Sequence, residues 1–258
     1  MESKTPLLEI VNLHAGIEDN KILNGINIEI GPGEIHAIMG RNGSGKTTTA
    51  NIIMGHPDFD IEEGKINLNG INLLELEPWE RAKNGVFLSF QYPQAVPGLQ
   101  VGNFLKKSVA SIRGADAAKG VNFRGLLKDS MKELNMPSSF LSRYVNDGFS
   151  GGEKKRFEIL QMMLLQPKLA ILDETDSGLD IDGIKTVATG INSAIRGTDS
   201  GALIITHYSR ILDHVKPDKI HVLIDGKIVA TGDASLANDL EENGYDWLEN
   251  KIKSEGEV

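Results

Sequence analysis

The stretch "EIHAIMGRNGSGKTTTANIIMG" (residues 34–55) combines three local signals in one short run. Residues 34–39 form an apolar run typical of a buried strand, and the residues from 47 onward are predicted to be helical. Between them, residues 40–47 have the pattern G-x-x-x-x-G-K-T. Glycines at this spacing permit a loop whose backbone N–H groups surround a chain of phosphates. The stretch therefore predicts a strand, a phosphate-binding loop and a helix.

The polar residues of this loop suit nucleotide chemistry. Lys46 places a point charge at the terminal phosphates, and the Thr47 hydroxyl is a candidate Mg²⁺ ligand. The residues predicted to contact the nucleotide are Gly40, Arg41, Asn42, Gly43, Ser44, Gly45, Lys46, Thr47 and Thr48.

A phosphate loop also needs a carboxylate on an adjacent strand to hold Mg²⁺. Asp173 ends the apolar run 169–173, and Glu174 follows it directly. Because neighbouring side chains on a strand point to opposite sides, Asp173 is predicted to face the metal and Glu174 the attacking water. The alternative interpretation is a pair of acids in solvent at the end of a strand.

A second glycine-rich stretch, "FSGGE" (149–153), precedes a charged helical pattern. Ser150, Gly151 and Gly152 at a helix start would leave backbone N–H groups unshielded, which favours a bound anion. Ser150 followed by Glu153 is equally typical of an ordinary capping box. The local sequence leaves both interpretations open.

Composition limits the function classes. The chain has 258 residues with 40% apolar and 24% charged residues, as in an ordinary globular protein. Its net charge of −9 opposes binding to nucleic acid or to an anionic membrane surface. The cysteine count of 0 excludes a disulfide or a cysteine-ligated metal within the chain. No apolar run reaches the roughly 18 residues of a membrane helix, so we expect a cytoplasmic protein without membrane insertion.

The remaining apolar runs predict an α/β fold. Short runs separated by helical segments indicate buried parallel strands, covered on both faces. A further group of strands is predicted to be antiparallel, with a hairpin turn at Asn69-Gly70. The parallel strands are predicted at 34–40, 85–90, 169–173, 202–206 and 219–225, the antiparallel ones at 7–10, 22–30 and 64–73, and a helical insertion at 92–149.

A series of motifs resembles, in order, those of the ATP-binding cassette (ABC) ATPases. They are "GRNGSGKT" (Walker A), Gln91 in "FLSFQYPQ", the signature "FSGGE", "LAILDE" (Walker B), the interface loop "SGLD" (177–180) and the switch histidine His207. The resemblance covers nearly the whole chain. It implies an ABC ATPase nucleotide-binding domain with a RecA-like mixed sheet core, an antiparallel β subdomain and an inserted α-helical subdomain. The core would comprise residues 1–91 and 150–258, and the helical subdomain residues 92–149.

The resemblance also implies an ATP-hydrolysing enzyme that uses ATP and Mg²⁺. Two copies would pair transiently, so that Ser150, Gly151 and Gly152 of one copy face the γ-phosphate on the Lys46 loop of the other. The implied catalytic residues are Glu174, as general base or as the group that orients the water, His207, as γ-phosphate contact, and Lys46. The implied metal ligands are Thr47, Gln91 and Asp173, and the implied nucleotide contacts also include Gln91 and Asp180.

Two features depart from the common family pattern. No aromatic residue for adenine stacking occurs in "VNLHAGIEDNKIL" (11–23), where His14 or Ile17 would substitute. Thr175 and Asp176 follow Glu174 where many transporter cassettes have proline and threonine or phenylalanine. We further hypothesise that Lys154 or Lys155 pairs with Glu174 or Asp176.

The second departure indicates a subgroup. Together with "FSGGEKKRFEILQ" and "FQYPQAVPG", it resembles the ATPases of the Suf iron–sulfur cluster assembly machinery. That resemblance implies SufB- and SufD-like scaffold proteins as partners, reshaped by ATP-dependent pairing of the ATPase. The alternative is the nucleotide-binding subunit of an ABC membrane transporter.

Overall fold

The central sheet contains the strand that precedes the phosphate loop. In this computed structural model, which describes residues 5–255, six strands have the order β12-β11-β3-β10-β9-β6. Neighbouring strands are parallel except for β12, which is antiparallel to β11. The strands are β3 (Ile35–Met39), β6 (Val86–Ser89), β9 (Leu169–Asp173), β10 (Gly201–Ile205), β11 (Lys219–Ile224) and β12 (Lys227–Gly232). The five predicted parallel strands are confirmed, whereas β12 was not predicted.

A second, antiparallel sheet has the order β2-β1-β4-β5. Asn69 and Gly70 connect its last pair with φ of 49° and 78°, the positive values that a two-residue hairpin turn requires. The predicted hairpin is therefore confirmed. The strands are β1 (Leu8–Ile17), β2 (Asn20–Ile30), β4 (Asp60–Leu68) and β5 (Ile71–Asn72).

Both faces of the central sheet are buried, which explains why its strands are continuous apolar runs. In β9, Ala170 and Leu172 point into the core formed with the helices. Leu169 and Ile171 point into the other core, which the antiparallel sheet and the helix after the phosphate loop complete. Alternating side chains thus serve two cores, as in a parallel sheet with both faces covered.

Helices fill the connections between these strands. The predicted insertion contains α3 and α4, together with a small two-stranded sheet of β7 (Val96–Gln100) and β8 (Tyr144–Val145) that was not predicted. Within residues 5–255, no helix has an apolar stretch long enough to cross a bilayer. The α-helices are α1 (Lys46–Met54), α2 (Pro78–Lys83), α3 (Val101–Arg113), α4 (Gly120–Glu133), α5 (Gly151–Leu165), α6 (Ile181–Ile195), α7 (Leu212–Val215) and α8 (Ser235–Glu255).

These elements confirm the predicted α/β fold with its antiparallel sheet. The boundaries at 91/92 and 149/150 stay a prediction, and residues 1–4 and 256–258 of the predicted core lie outside the described part of the chain.

A buried pair of histidines connects β3 and β11. Because a carboxylate only accepts, Glu34 Oε2 accepts from His36 Nε2 at 3.1 Å. The other ring nitrogen of His36 then accepts from His221 Nε2 at 3.1 Å, and His221 Nδ1 accepts from the Thr231 hydroxyl at 2.9 Å. The chain of hydrogen bonds is complete with both imidazoles neutral. Burial lowers the pKa of both rings, that of His221 to about 4.

This pair predicts a loss of stability in mild acid. The folded pKa of His221 lies below the ordinary value of 6.5, so the unfolded chain takes up a proton between these values and the folded chain does not. We expect the free energy of unfolding contributed by His221 to fall by about 2 kcal/mol between about pH 7.5 and pH 5.0. Urea unfolding of the protein and of His221→Gln at both pH values measures this difference. His56 is exposed, so His56→Gln is the control and should keep the full pH dependence. An equal change in the free energy of unfolding with pH for the unchanged chain and for His221→Gln would contradict the prediction.

Candidate nucleotide site

The phosphate loop lies between β3 and α1, as predicted. Gly45 precedes the helix with a φ of 106°, a conformation that side chains other than glycine rarely adopt. A Cβ at Gly40 would lie 2.2 Å from the carbonyl oxygen of Leu223, so only glycine fits beneath the end of β11. The two glycines therefore fix the path of the loop for different reasons, one conformational and one steric.

Lys46 is buried at the start of α1. Its Nζ donates to the carbonyl oxygens of Gly40 at 2.7 Å and Arg41 at 2.8 Å. Burial lowers the pKa of Lys46 to about 8, although Glu174 and Asp173 oppose that shift. The ammonium group is thus partly desolvated and close to two acids, an arrangement that favours binding of a further anion.

Glu174 joins three segments that are distant in the sequence. Its Oε1 lies 2.9 Å from Nε2 of His207, and its Oε2 accepts from Gln91 Nε2 at 2.6 Å. The other ring nitrogen of His207 lies 3.1 Å from the Gly40 carbonyl oxygen. An oxygen atom thus lies beside each ring nitrogen of His207, one from Glu174 and one from the Gly40 carbonyl.

The backbone of Glu174 explains how it reaches this position. Its φ is 48°, and its N–H donates to the Ile205 carbonyl oxygen at 2.8 Å. Left-handed conformations of residues other than glycine carry strain and cluster at functional sites. The predicted alternation of side chains along a strand therefore holds for Asp173, the last residue of β9. It does not hold for Glu174, which lies beyond the end of the strand and is turned by its left-handed backbone conformation.

Asp173 and Thr47 form the part of the site that suits a metal. Asp173 is 3% exposed, and a hydrogen bond joins it to Thr47. Its Oδ1 has no partner within the described part of the chain, and burial raises its pKa. One carboxylate and one hydroxyl, completed by phosphates and water, are a donor set that Mg²⁺ accepts. Over residues 5–255 no cluster of three or more acidic or histidine side chains exists that would hold a metal without phosphate.

The signature stretch begins α5, and its capping box is present. The Ser150 hydroxyl accepts from the Glu153 N–H at 3.2 Å, while Glu153 Oε2 accepts from the Ser150 N–H at 2.8 Å. Arg143 Nη1 lies 2.5 Å from Glu153 Oε1. The hydrogen bond from Arg143 is the main cause that lowers the pKa of the Glu153 carboxyl. The box uses the Ser150 and Glu153 N–H groups, so the N–H groups of Gly151 and Gly152 at the first helical positions remain free to meet an anion. The two interpretations of this stretch are therefore compatible.

The start of α5 opens onto a concave surface of about 490 Å³ that it shares with the start of α6. Asp180 is the N-cap of α6 and accepts from the Gly183 N–H at 2.8 Å. Two helix N-termini with their partial positive charges thus line one cavity. Within the described residues, no hydrogen bond or ion pair connects Ser150, Gly151 or Gly152 to Lys46. The predicted site residues therefore fall into two groups, one around Lys46 and one lining this cavity, that no such contact joins.

Glu158 was not predicted as part of the site, and Lys155 was predicted only as a partner of Glu174 or Asp176. Lys155 Nζ donates to the Phe90 and Gln91 carbonyl oxygens at 3.2 and 3.3 Å. Glu158 accepts from the Phe90 N–H at 2.8 Å and from the Ser89 hydroxyl at 3.1 Å, and burial raises its pKa to about 7. These contacts hold the chain at Gln91. The acid within ion-pair distance of Lys155 is Glu158, at 3.8 Å, while the predicted partners Glu174 and Asp176 act on Lys155 through weaker electrostatic interactions. Pairing of Lys154 stays a prediction.

The adenine contact predicted for His14 or Ile17 stays a prediction. The ring of His14 lies 3.1 Å from Asn12 Oδ1 within the antiparallel sheet. The side chains that approach the phosphate loop from this sheet are those of Ile22 and Leu23, beside Gly45. In the sequence their apolar pattern indicates only a strand, so it carried no separate signal that they lie beside Gly45.

Comparison with known proteins identifies the family. The family model described as "ABC transporter" matches residues 23–177. The chain belongs to the ABC transporter family. As an ABC protein it binds ATP, and the family assignment makes it an ATPase.

Similar ABC proteins cover nearly the whole length of the chain. It is 51% identical to the "Probable ATP-dependent transporter ycf16" of Guillardia theta, over 97% of this chain and 100% of that protein. It is 48% identical to the "Probable ATP-dependent transporter SufC" of Escherichia coli (strain K12), over 94% of this chain and 98% of that protein. Among solved structures, an "ATP binding subunit of ABC transporter" superposes with a TM-score of 0.79 at 25% identity, covering 96% of this chain and 99% of the other. These matches confirm the predicted ABC ATPase fold.

Proposed function

We propose that this chain is the ATPase subunit of a Suf-type iron–sulfur cluster assembly machinery, acting in the cytoplasm on SufB- and SufD-like scaffold proteins. The observation that carries the proposal is the 48% identity to the protein named SufC over nearly the full length of both chains. The absence of cysteine in this chain agrees with it, because the thiolates that bind a cluster would then belong to the scaffold.

The geometry supports a division of labour for ATP hydrolysis. Lys46 and the loop N–H groups would bind the β- and γ-phosphates, and Glu174 would take the proton of the attacking water. His207 would contact the γ-phosphate, since it already lies between Gly40 and Glu174. Thr47 and Asp173 would hold Mg²⁺, which neutralises charge on the phosphates when bound. Gln91 would contact the metal and the water, and would couple the nucleotide site to the partner-binding face.

The separation of the two residue groups supports an ATP-dependent homodimer. An anion at the N–H groups of Gly151 and Gly152 would have to be supplied from outside this chain, because Lys46 lies in the other group. A second copy placed head to tail supplies it as the γ-phosphate on its own loop. Phosphate groups at helix N-termini are favoured by the exposed N–H groups and by the helix dipole.

This pairing predicts that a charge at the signature blocks association. A Cβ at Gly151 would meet no atom within 4 Å, so Gly151→Asp fits the folded chain but places a carboxylate where the γ-phosphate is proposed to bind. We expect the ATP-dependent dimer to weaken at least about tenfold, or about 1.4 kcal/mol, with ATP binding by the single chain unchanged. Analytical ultracentrifugation with ATP measures it. Gly125→Asp in α4, also with an open Cβ position, is the matched control, and a Gly151→Asp dimer as tight as that of the control would contradict the proposal.

A nucleotide-binding subunit of a membrane transporter is the second candidate, favoured by the word "transporter" in the names of the most similar relatives. The two functions differ in the partner. Tagged protein would be recovered from its native cells without detergent, with ATP or with ADP, and its partners identified by mass spectrometry. Recovery of SufB- or SufD-like proteins is expected. Recovery of a membrane protein with several spans, and only after detergent is added, would replace the proposal by the transporter function.

A further inference from the structure

The last helix contacts both loops of the nucleotide site. α8 is interrupted at Gly244, whose φ and ψ of 74° and 172° are not helical. Side chains on both sides of the interruption are anchored in the core, Ala237 and Leu240 before it and Leu248 after it. The polar residues at the interruption are thus held in place rather than carried by a free end.

Before the interruption, Glu241 holds the loop that carries His207. Its Oε1 accepts from the Ser209 N–H at 3.0 Å. Ser209 is only 4% exposed and lies just beyond His207, after β10 has ended. Its N–H therefore has no strand partner and depends on this carboxylate. Hydrogen bonds from a backbone N–H to a charged acceptor are among the stronger ones in proteins.

After the interruption, Tyr245 and Asp246 contact the phosphate loop. The Arg41 guanidinium carbon lies 5.9 Å from the centre of the Tyr245 ring, and Asp246 Oδ1 accepts from Arg41 Nη2 at 2.5 Å. Burial raises the pKa of Tyr245, opposed by the N–H of Gly40. The Asp246 side chain is 81% exposed, so solvent screens its ion pair and leaves it a small contribution. The stronger interaction between α8 and the site is therefore the hydrogen bond from the Ser209 N–H to Glu241.

The two contacted loops also meet each other at one atom. The Gly40 carbonyl oxygen accepts from Lys46 Nζ and faces His207 Nδ1. Thr206, on the other side of His207, is held by Asp176, whose Oδ2 accepts from its hydroxyl at 2.9 Å. The loop around His207 is therefore anchored on one side by Asp176 and on the other by Glu241.

We infer that Glu241 is a positioning residue for His207: it fixes the Ser209 N–H so that the imidazole stays between Gly40 and Glu174. Glu241 does not reach the nucleotide site itself and acts only through the loop. The inference rests on the proposed role of His207 as the γ-phosphate contact, and it adds a residue from the last helix to that site.

Steady-state ATPase kinetics of the full chain test the inference. We expect Glu241→Ala to lower kcat about fivefold to tenfold, with KM for ATP within about twofold, because the loop loses one charge-assisted hydrogen bond. Glu241→Gln should keep at least about half of kcat, since its amide oxygen still accepts from Ser209. Alanine is a strong helix former and Glu241 is exposed, so the fold should be retained. The neighbouring Glu242→Ala removes the same charge and should match the unchanged chain.

A double-mutant cycle separates this inference from the proposed function. If Glu241 acts through His207, then Glu241→Ala should change kcat by less than about twofold in the His207→Ala background. Equal losses in both backgrounds, or a Glu241→Ala enzyme as active as Glu242→Ala, would overturn the inference while leaving His207 in its role. An unchanged kcat in His207→Ala alone would instead overturn the proposed role of His207, and with it the basis for a positioning residue.

Discussion

Replacing Glu174 by glutamine is expected to lower kcat for ATP hydrolysis by about 100-fold or more, the range that general base catalysis contributes. Glutamine has nearly the same size as glutamate, and its amide oxygen still accepts from Gln91 Nε2, as Glu174 Oε2 does at 2.6 Å. ATP binding should therefore persist. Because hydrolysis would no longer separate the two copies, the variant should accumulate as a dimer when ATP is present.

Phosphate release in the steady state and size-exclusion chromatography with ATP or ADP measure both effects. Glu242→Gln, an exposed glutamate on α8, makes the same chemical change away from the site and is the control. A Glu174→Gln enzyme whose turnover stays within about twofold of that control would show that another group activates the water. The cluster with His207 and Gln91 would then be structural.

Lys46→Ala has the second largest expected effect and acts on binding. The substitution removes a buried positive charge and leaves the Gly40 and Arg41 carbonyl oxygens, which accept at 2.7 and 2.8 Å, without their donor. Removing a partner of a buried group costs more than the net value of the hydrogen bond. We expect ATP affinity to fall about 100-fold and ATPase activity to be lost with it.

The pKa of Lys46 provides an independent signature. It is lowered to about 8, and a bound anion raises it again, so ATP binding should take up a proton near that pH. Affinity for ATP should accordingly decrease as the pH rises from about 7 to 9 in the unchanged chain. Isothermal titration in two buffers of different ionisation enthalpy measures the proton uptake. The exposed Lys65→Ala should behave as the unchanged chain, and proton uptake of equal size in Lys46→Ala would assign it to another group.

The sequence by itself determined the features of this protein that depend only on residues adjacent in the chain. The spacing of glycines before Lys46 predicted the phosphate loop, because a tight backbone path is a local requirement. Asn69-Gly70 predicted its hairpin for the same reason. The apolar runs located the parallel strands, since burial on both faces leaves no room for polar residues.

The tertiary structure decided which of these parts meet. Gly40, Gln91, Glu174 and His207 come together because β3, β10, β9 and β6 are neighbours in the sheet, an order that no local pattern states. Within the described part of the chain, no hydrogen bond or ion pair joins the start of α5 to Lys46, whose Nζ donates to Gly40 and Arg41. The proposal of a second copy therefore rests on the tertiary structure rather than on a local pattern of residues.

The contacts of Glu158 and Glu241 show most clearly what the sequence alone could not predict. In the sequence each is one glutamate in a charged helical stretch, where a solvent-facing position is the common outcome. Only the fold places Glu158 against the Phe90 N–H and Glu241 against the Ser209 N–H. A backbone N–H left unpaired at the end of a strand takes whatever acceptor the packing brings to it, and that acceptor is determined in space rather than along the chain.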